Sequence, residues 1–411
     1  MIYRHTLSNG LRVLIERLDH VRSVSMGIWI NTGSRDERTE EAGVSHLLEH
    51  MFFKGTSTLS ASQLAEVFDN IGGQVNAFTT KEYTCYHAKV LDEHTDLALL
   101  TLSQMMFDST FDREELEREK KVVVEEIKMY EDNPEEAVHD LIVEVAYEHH
   151  PLSGNILGTE ESLQQIDRMT LLDYVEKRYT PDNMVISLSG HVNVEDVLRK
   201  LERYFGGFRR QLQRSSSLVP QFQATEIWRT RPVEQTHVCL AMPGFEYEDD
   251  RSYALVLLNN VLGGSSSSRL FQEIREKRGL AYNVFSYHSM FRDVGLFTIY
   301  FGSSSSSAKE VYELLMSILD TVKREGITKE ELQKAKNQTI GSLLLSLEST
   351  SQRMSRIGKN ELLLGRQIDL NETIASLECV SIEDIHHIAQ RLFESPMTFV
   401  GLGSEDSTLA R

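Results

Sequence analysis

The second half of this chain repeats landmarks of the first half at an offset of about 210 residues. The corresponding segments are 28–33 with 240–244, 47–50 with 257–260, and 170–173 with 381–384. The first pair are strand-like and end in glycine, the second pair are helical, and the third pair have the composition of helix starts with a capping box. A repeat of this length restricts the fold to two homologous α/β units in tandem.

The length of the chain agrees with this division. A chain of 411 residues exceeds what one hydrophobic core normally supports, so two or more domains are expected. We assign residues 1–212 to an N-terminal domain and residues 226–411 to a homologous C-terminal domain. The segment 213–225 contains a serine run and is the expected linker.

The pentapeptide His-Leu-Leu-Glu-His at 46–50 carries the strongest chemical signal. His46 and His50 are one helical turn apart, so both imidazoles share a face and can bind one ion. Catalytic zinc needs three protein ligands, an open position for water and a carboxylate that takes the proton of that water. Glu49 is placed to be this carboxylate. The spacing is the reverse of His-Glu-x-x-His and is that of the inverzincins.

The neighbouring residues favour a metal site over a chance match. With 14 histidines in 411 residues, a chance match to this pattern arises in about a few per cent of such chains. Ser45 is a candidate N-cap, and Leu47, Leu48 and Met51 give the helix an apolar body. A hydrogen-bonded core histidine would explain one imidazole. It would not explain two imidazoles and a carboxylate on one apolar segment.

A third ligand is expected on the acidic helix that spans about residues 113–131. Glu126 is the best candidate, because its helical neighbours are two valines and a tyrosine. A carboxylate on an apolar face needs a cation as partner. Glu119 shares that face two turns earlier, where it can orient a ligand or the water. The alternative for Glu119 is a surface salt bridge with a neighbouring lysine.

These residues resemble the pitrilysin/insulinase metallopeptidases, in particular the branch similar to mitochondrial processing peptidase and its bacterial homologues. In that family the third ligand follows the last motif histidine by some 76 residues, and Glu126 lies 76 residues after His50. The resemblance covers nearly the whole chain. It implies that Glu49 is the general base and that Glu119 is a supporting catalytic residue. It also implies one Zn²⁺ per chain, although Mn²⁺ or Co²⁺ suits the same donors.

The resemblance also implies a fold class and a substrate-docking strand. The fold is α+β, with antiparallel-rich sheets covered by helices in two tandem units of the LuxS/MPP-like metallopeptidase type. Asn76, Ala77 and Phe78 match the family's edge strand, on which the peptide substrate docks by backbone pairing. Taken alone, Asn76 would be a turn or strand-end residue that satisfies its own backbone.

The second half lacks the metal motif and carries another family signature. Val256, Asn259 and Asn260 stand where the first half has the two histidines and the glutamate. Arg275 and Tyr282 match the arginine and tyrosine that contact the substrate in active family members. Tyr282 can donate to a developing oxyanion and Arg275 to a backbone carbonyl. Taken alone, they would be an exposed helix charge and a packed aromatic.

Composition excludes several kinds of partner. The formal net charge of −19, without a basic patch, argues against nucleic acid and anionic membrane surfaces. No apolar run approaches the ~18 residues that span a bilayer, and no signal sequence precedes the strand hairpin expected around Asn9-Gly10. Cys85, Cys239 and Cys379 are expected to be buried thiols of a cytoplasmic protein.

The sequence therefore predicts a zinc-dependent endopeptidase that cleaves oligopeptides or short unstructured polypeptides inside a closed chamber. Single-chain relatives carry four such units and this chain has two, so we expect a homodimer whose active sites are completed in trans. Two alternatives remain open. One is a non-catalytic core subunit of the same fold, in which the ligands would be lost. The other is a metal-dependent lyase of the S-ribosylhomocysteinase kind, which would be shorter and not duplicated.

Overall fold

The computed structural model describes residues 2–212 and 218–410, which form two compact units. Unit 1 consists of residues 2–127, 154–212 and 346–367. Unit 2 consists of residues 128–153, 218–345 and 368–410. Part of the expected linker, 213–217, lies outside the described residues, and 218–225 contain no helix or strand.

Unit 1 is built on a six-stranded sheet. Its strands are β1 (Ile2–Thr6), β2 (Arg12–Arg17), β3 (Ser23–Ile30), β4 (Gln74–Thr79), β5 (Thr84–Leu91) and β6 (Met184–Gly190). Their order is β1-β2-β6-β3-β5-β4, and all neighbours are antiparallel except β2 and β6. The pair β1–β2 is the expected N-terminal hairpin, in which Gly10 has a φ of 96°.

The sheet of unit 2 repeats this topology. Its strands are β7 (Glu226–Thr230), β8 (Gln235–Pro243), β9 (Ala281–Met290), β10 (Gly295–Ser304) and β11 (Thr398–Gly403). The order β7-β11-β8-β10-β9 matches β2-β6-β3-β5-β4 strand for strand. The one parallel pair, β7 with β11, also corresponds to β2 with β6. The tandem repeat predicted from the sequence is therefore present in the fold.

Helices cover the faces of both sheets. They are α1 (Val44–Met51), α2 (Ala61–Asp69), α3 (Thr95–Asp108), α4 (Arg113–Asp132), α5 (Pro134–Ala146), α6 (Glu160–Gln165), α7 (Arg168–Arg178), α8 (Val194–Phe205), α9 (Ser252–Leu262), α10 (Ala308–Glu325), α11 (Lys329–Ser346), α12 (Thr350–Lys359), α13 (Leu370–Cys379) and α14 (Ile382–Glu394). The segments Phe271–Glu276 and Asn360–Leu364 are π-helical. Ser381 caps α14 as expected, whereas α7 begins earlier than expected because Asp167 is its N-cap.

In unit 1, one face of the sheet is covered by a helix from the second half of the sequence. α12 packs on β3 and β6. Trp29 Nε1 donates to Ser187 Oγ at 2.8 Å, and Ser187 Oγ donates to the Met354 carbonyl at 3.0 Å. At Gly358 a Cβ atom would lie 2.3 Å from Trp29 Nε1, so only glycine fits against the indole. The close approach of this helix buries Trp29 completely.

In unit 2 the exchange is reversed, because α5 from the first half packs on β8 and β11. The units therefore depart from the contiguous division into 1–212 and 226–411 at two segments, 128–153 and 346–367. The physical reason is that each sheet has two apolar faces. One is buried by helices of its own half, and the other by the exchanged helix.

The cysteines differ in their surroundings. Cys85 and Cys239 are buried thiols on β5 and β8, as expected. Cys379 is exposed at the end of α13, so the prediction that all three are buried was wrong for this residue. α13 buries only Leu377, which leaves its last residue in solvent. Over residues 2–212 and 218–410, no helix combines the length and the apolar character needed to cross a bilayer.

A partly buried polar cluster lies between α5 and the sheet of unit 2. His139 Nδ1 is 2.7 Å from the hydroxyl of Tyr287 and 3.6 Å from Sγ of Cys239. The His139 ring also stacks on Phe285. Burial, together with the charge of the neighbouring His237, lowers the pKa of His139 to about 4. The imidazole is therefore neutral in the folded protein at neutral pH.

Acid should destabilise the protein through this histidine. An unfolded histidine has a pKa of about 6.5, so the unfolded state binds more protons as the pH falls below that value, and stability declines until the folded pKa is reached. Above pH ~6.5 this group adds no pH dependence. We expect His139→Gln to reduce the loss of unfolding free energy between pH 7 and pH 5 by about 1–2 kcal/mol. Urea unfolding at both pH values measures this.

The matched control is His149→Asn, because the His149 side chain is 85% exposed. This variant should keep the pH dependence of the wild type. An unchanged pH dependence in His139→Gln would show that His139 is not the group responsible.

Candidate metal centre

The helix that carries the pentapeptide is fixed at its start by a buried carboxylate. α1 is capped by Gly43, which has a φ of 91°, and not by Ser45 as expected. Glu37 accepts the backbone N–H of Gly43 at 2.7 Å and that of Ser45 at 2.8 Å. The first amides of a helix have no partner within it. Glu37, in the preceding loop, therefore accepts the amide hydrogens that an N-cap side chain normally accepts.

Ser45 belongs to a buried hydroxyl network at the same end of α1. Its Oγ lies 2.8 Å from the Tyr174 hydroxyl, which lies 3.0 Å from Thr32 Oγ1. Tyr174 belongs to α7 and Thr32 follows β3, so the network joins α1 to two other elements. Burial raises the pKa of Tyr174 well above its usual range. The network is thus a neutral one that sets the position of the helix.

α1 and α4 bring three metal-ligating side chains together. Nε2 of His46 and Nε2 of His50 each lie 3.8 Å from the same oxygen, Oε2 of Glu126. The three ligand atoms lie within 4.8 Å of one another. Zinc binds its donors at about 2.0–2.2 Å, so neighbouring donors around one ion are separated by about 3.3–3.6 Å. The spacing is close to that of a single-ion site.

The protonation state of His46 also fits a metal site. His46 is 8% exposed, and burial together with the nearby His50 lowers its pKa to about 4. Its imidazole is therefore neutral at neutral pH, which is the form that binds metal. Two imidazoles and one carboxylate are a donor set that zinc accepts with a position left for water.

Glu49 is not part of the ligand group but lies beside it. Burial raises the pKa of Glu49, while the hydrogen bond from Thr79 and the charge of His50 lower it and the carboxylate of Glu126 raises it. Thr79 Oγ1 donates to Glu49 Oε2 at 2.6 Å. A half-buried carboxylate with a raised pKa is suited to accept a proton and give it back near neutral pH.

Glu119 lies behind His50 and not at the surface. Its Oε2 is 3.0 Å from His50 Nδ1, and its Oε1 is 2.7 Å from Lys54 Nζ. A carboxylate on one ring nitrogen fixes the tautomer that presents the other nitrogen to a metal. Lys54 holds this carboxylate in turn. Of the two interpretations of Glu119, the geometry fits the orienting role.

The expected substrate strand is the edge strand of the unit 1 sheet. Asn76, Ala77 and Phe78 lie on β4, which pairs with β5 at the end of the strand order. Asn76 is exposed, and its Oδ1 accepts the N–H of Ala77 at 2.9 Å. The Phe78 ring packs against Trp29, with ring centroids 6.0 Å apart. The side chain of Phe78 therefore packs in the core, and only its backbone lies at the sheet edge.

The two expected substrate contacts from the second half lie in unit 2. Arg275 belongs to the π-helical turn, and π-helical turns are frequent at functional sites. Its guanidinium lies 4.7 Å from the ring centroid of Phe271 and 4.6 Å from that of Tyr282. Tyr282 is 70% exposed. The guanidinium lies against both rings, and its Nε is 3.8 Å from Oε1 of Glu276.

Sequence reasoning missed four residues of the site: Glu37, Lys54, Thr79 and Tyr174. Lys54 follows His50 by only four residues but lies beyond the end of α1 at Met51, so helical spacing does not identify it. The other three act across loops or from other elements. Their distances in sequence from the pentapeptide follow no helical or strand repeat, so the sequence does not identify them.

Removing the third donor should weaken metal binding. In Glu126→Gln the two imidazoles remain but the anionic ligand is lost, so we expect the dissociation constant for Zn²⁺ to rise about 10- to 1000-fold. Competition with a fluorescent zinc chelator measures it. Glu125→Gln, an exposed carboxylate on the same helix, is the control and should bind zinc as the wild type does. Equal affinities in the two variants would remove Glu126 from the ligand set.

Two family models and curated relatives match the chain. Residues 12–160 match the model described as insulinase (peptidase family M16), and residues 165–339 match the peptidase M16 inactive domain. The chain is 51% identical over 393 residues to the uncharacterized zinc protease YmxG of Bacillus subtilis, covering 96% of both. It is 38% identical over 399 residues to an uncharacterized zinc protease of Streptomyces coelicolor, covering 95% of this chain and 86% of that protein.

Two crystal structures share the fold. A peptidase M16 inactive domain from Pseudomonas fluorescens has a TM-score of 0.92 at 20% identity and covers 98% of both chains. A protease from Helicobacter pylori has a TM-score of 0.91 at 23% identity, covering 98% of this chain and 99% of that one. At such identities these likenesses confirm the α+β tandem fold alone. The sequence relatives and family models confirm the resemblance: the chain belongs to the insulinase family of M16 peptidases.

Proposed function

We propose that this protein is a zinc-dependent endopeptidase that hydrolyses oligopeptides or short unstructured polypeptides. The observation that carries the proposal is the grouping of His46, His50 and Glu126 around one point, with Glu49 on the same helical turn. Relatives named zinc proteases support it. In this proposal each chain holds one Zn²⁺.

Each residue of the unit 1 site has its own role in the proposed reaction. His46, His50 and Glu126 would hold the zinc ion, which would supply Lewis acidity for the scissile carbonyl and the attacking water. Glu49 accepts the proton of the water on Oε1, because Oε2 already accepts the Thr79 hydroxyl. It returns this proton to the amide nitrogen that leaves.

The substrate is proposed to add to β4 as a further strand. β4 is the edge of the sheet and its end contacts Glu49 through Thr79. Backbone pairing recognises an extended peptide largely irrespective of its sequence. A folded protein does not offer such a strand, so unstructured polypeptides are the expected substrate class.

We further propose that the protein is a homodimer whose active sites are completed in trans inside a closed chamber. The metal donors belong to unit 1, whereas Arg275 and Tyr282 belong to unit 2. In the proposed site, Tyr282 donates to the developing oxyanion and Arg275 to a substrate carbonyl. We also propose a cytoplasmic location, which the free thiols of the three cysteines support.

The alternative of a non-catalytic core subunit is not favoured. A subunit with an assembly role alone has no need of a general base beside a complete donor set, and this chain has both. The direct test is incubation of the zinc-loaded protein with an unstructured peptide, with and without a chelator. Cleavage that chelation abolishes and zinc restores supports the peptidase. Absence of cleavage over a broad peptide library would favour the assembly role.

Glu49→Gln should separate metal binding from hydrolysis. The carboxamide cannot accept the proton, so we expect kcat to fall at least 100- to 10,000-fold. The three metal donors are unchanged, so the zinc content should stay that of the wild type. Elemental analysis and a quenched fluorescent peptide provide the two measurements. Turnover within a few-fold of the wild type would show that another group is the base.

Subunit mixing should test completion in trans. An equal mixture of Glu49→Gln and Tyr282→Phe proteins, after subunit exchange, contains mixed dimers with one site that carries both defects and one that carries neither. We therefore expect about one quarter of wild-type activity to reappear, because half of the dimers are mixed and half of their sites are intact. The proteins before mixing are the control. If activity stays at their level, each site is completed in cis.

A further inference from the structure

The last residue of β4 reaches the catalytic helix. Side chains alternate along a strand, so Ala77 and Thr79 share one face of β4 and Phe78 lies on the other. Ala77 belongs to the core that includes α1, whereas Phe78 packs in the cluster that includes Met354 of α12. Thr79 thus lies on the α1 side of the sheet, where its hydroxyl meets Glu49.

The hydrogen bond between these residues has a defined direction. An ionised carboxylate has no proton to give, so Thr79 Oγ1 is the donor and Glu49 Oε2 the acceptor, at 2.6 Å. Other threonines of this hairpin bond to the backbone: Thr80 Oγ1 donates to the Tyr83 carbonyl at 2.8 Å, and Thr84 Oγ1 to the Thr32 carbonyl at 3.0 Å. Those bonds hold the hairpin, and Thr79 is directed at the base.

We propose that Thr79 is a positioning residue that holds the Glu49 carboxylate in the orientation for proton transfer and ties it to the substrate strand. A glutamate on a helix has several rotamers, and only some present an oxygen to the attacking water. Fixing Oε2 leaves Oε1 to take the proton. Because Thr79 is part of β4, a substrate that pairs with β4 has a fixed distance to the base. The inference rests on the proposed endopeptidase activity.

Unit 2 contains a comparable bond without the chemistry. α9 corresponds to α1 and β9 to β4, and Ser286 Oγ on β9 donates to Asn259 Oδ1 on α9 at 2.7 Å. Asn259 stands at the repeat position of Glu49 and has no carboxylate. Ser286 is therefore a matched control, since removing its hydroxyl breaks the same kind of helix–strand contact without touching a base.

The test compares Thr79→Val, Thr79→Ser and Ser286→Ala in the zinc-loaded, full-length protein. We expect Thr79→Val to lower kcat about 10- to 100-fold, with KM and zinc content within about twofold of the wild type. Thr79→Ser keeps the donor and should restore kcat to within about threefold, and Ser286→Ala should leave kcat within about twofold. A second measurement is the dissociation constant of an intact peptide on the Glu49→Gln background, which Thr79→Val should not change.

Three results would overturn the inference. They are a Thr79→Val variant with at least half the wild-type kcat, an equal loss in Ser286→Ala, and weaker peptide binding when Thr79→Val is added to Glu49→Gln. The last result would place Thr79 in docking. Failure of the proposed function has a different signature, because the wild type itself would then show no chelator-sensitive cleavage.

Discussion

Two imidazoles and a carboxylate on an otherwise apolar helix are the constraint on which unit 1 depends. Leu47, Leu48 and Met51 of α1 are completely buried, so Glu49 and His50 between them are partly drawn out of water. A buried polar group without a partner costs stability comparable with a lost hydrogen bond or ion pair. The partners of His50 and Glu49 come from α4 and β4, which are distant in sequence. The site therefore exists only once these elements have packed around α1.

At the start of α1 the close packing requires a glycine, and the glycine in turn requires an acceptor from elsewhere for the first helix amides. A Cβ atom on Gly43 would lie 2.6 Å from the Leu157 carbonyl, and its φ of 91° also favours glycine. A glycine N-cap has no side chain to satisfy the first amides of the helix. Glu37 supplies that acceptor from outside the helix, although burial raises its pKa to about 8 against the effect of the Ser45 and Gly43 amides. The loop and the helix are thereby fixed together.

Periodicity explains which parts of this structure were predictable. The repeat predicted two like units, and these have matching strand orders. The helical spacing predicted that His46 and His50 share one face, and the family resemblance implied that Glu126 joins them. Periodicity contains no information on which sheet a helix packs against, so the exchange of α5 and α12 was missed. The contact between Lys54 and Glu119 likewise depends on how the elements pack in the folded chain. The exposure of Cys379 depends on which residues of α13 are buried.

Both units contain the same kind of hydrogen bond between a strand and a helix, with a different acceptor in each. In unit 1 a hydroxyl on β4 donates to a side chain of α1 at 2.6 Å, and in unit 2 a hydroxyl on β9 donates to a side chain of α9 at 2.7 Å. With Asn259 as acceptor the contact joins helix and strand and does nothing further. With Glu49 the acceptor is ionisable and lies next to the three metal-ligating side chains, so in the proposed peptidase the same bond constrains the general base. Both units thus share the helix–strand packing, and only unit 1 has the metal-ligating residues beside it. Unit 2 instead has the exposed Tyr282, whose ring lies against the guanidinium of Arg275.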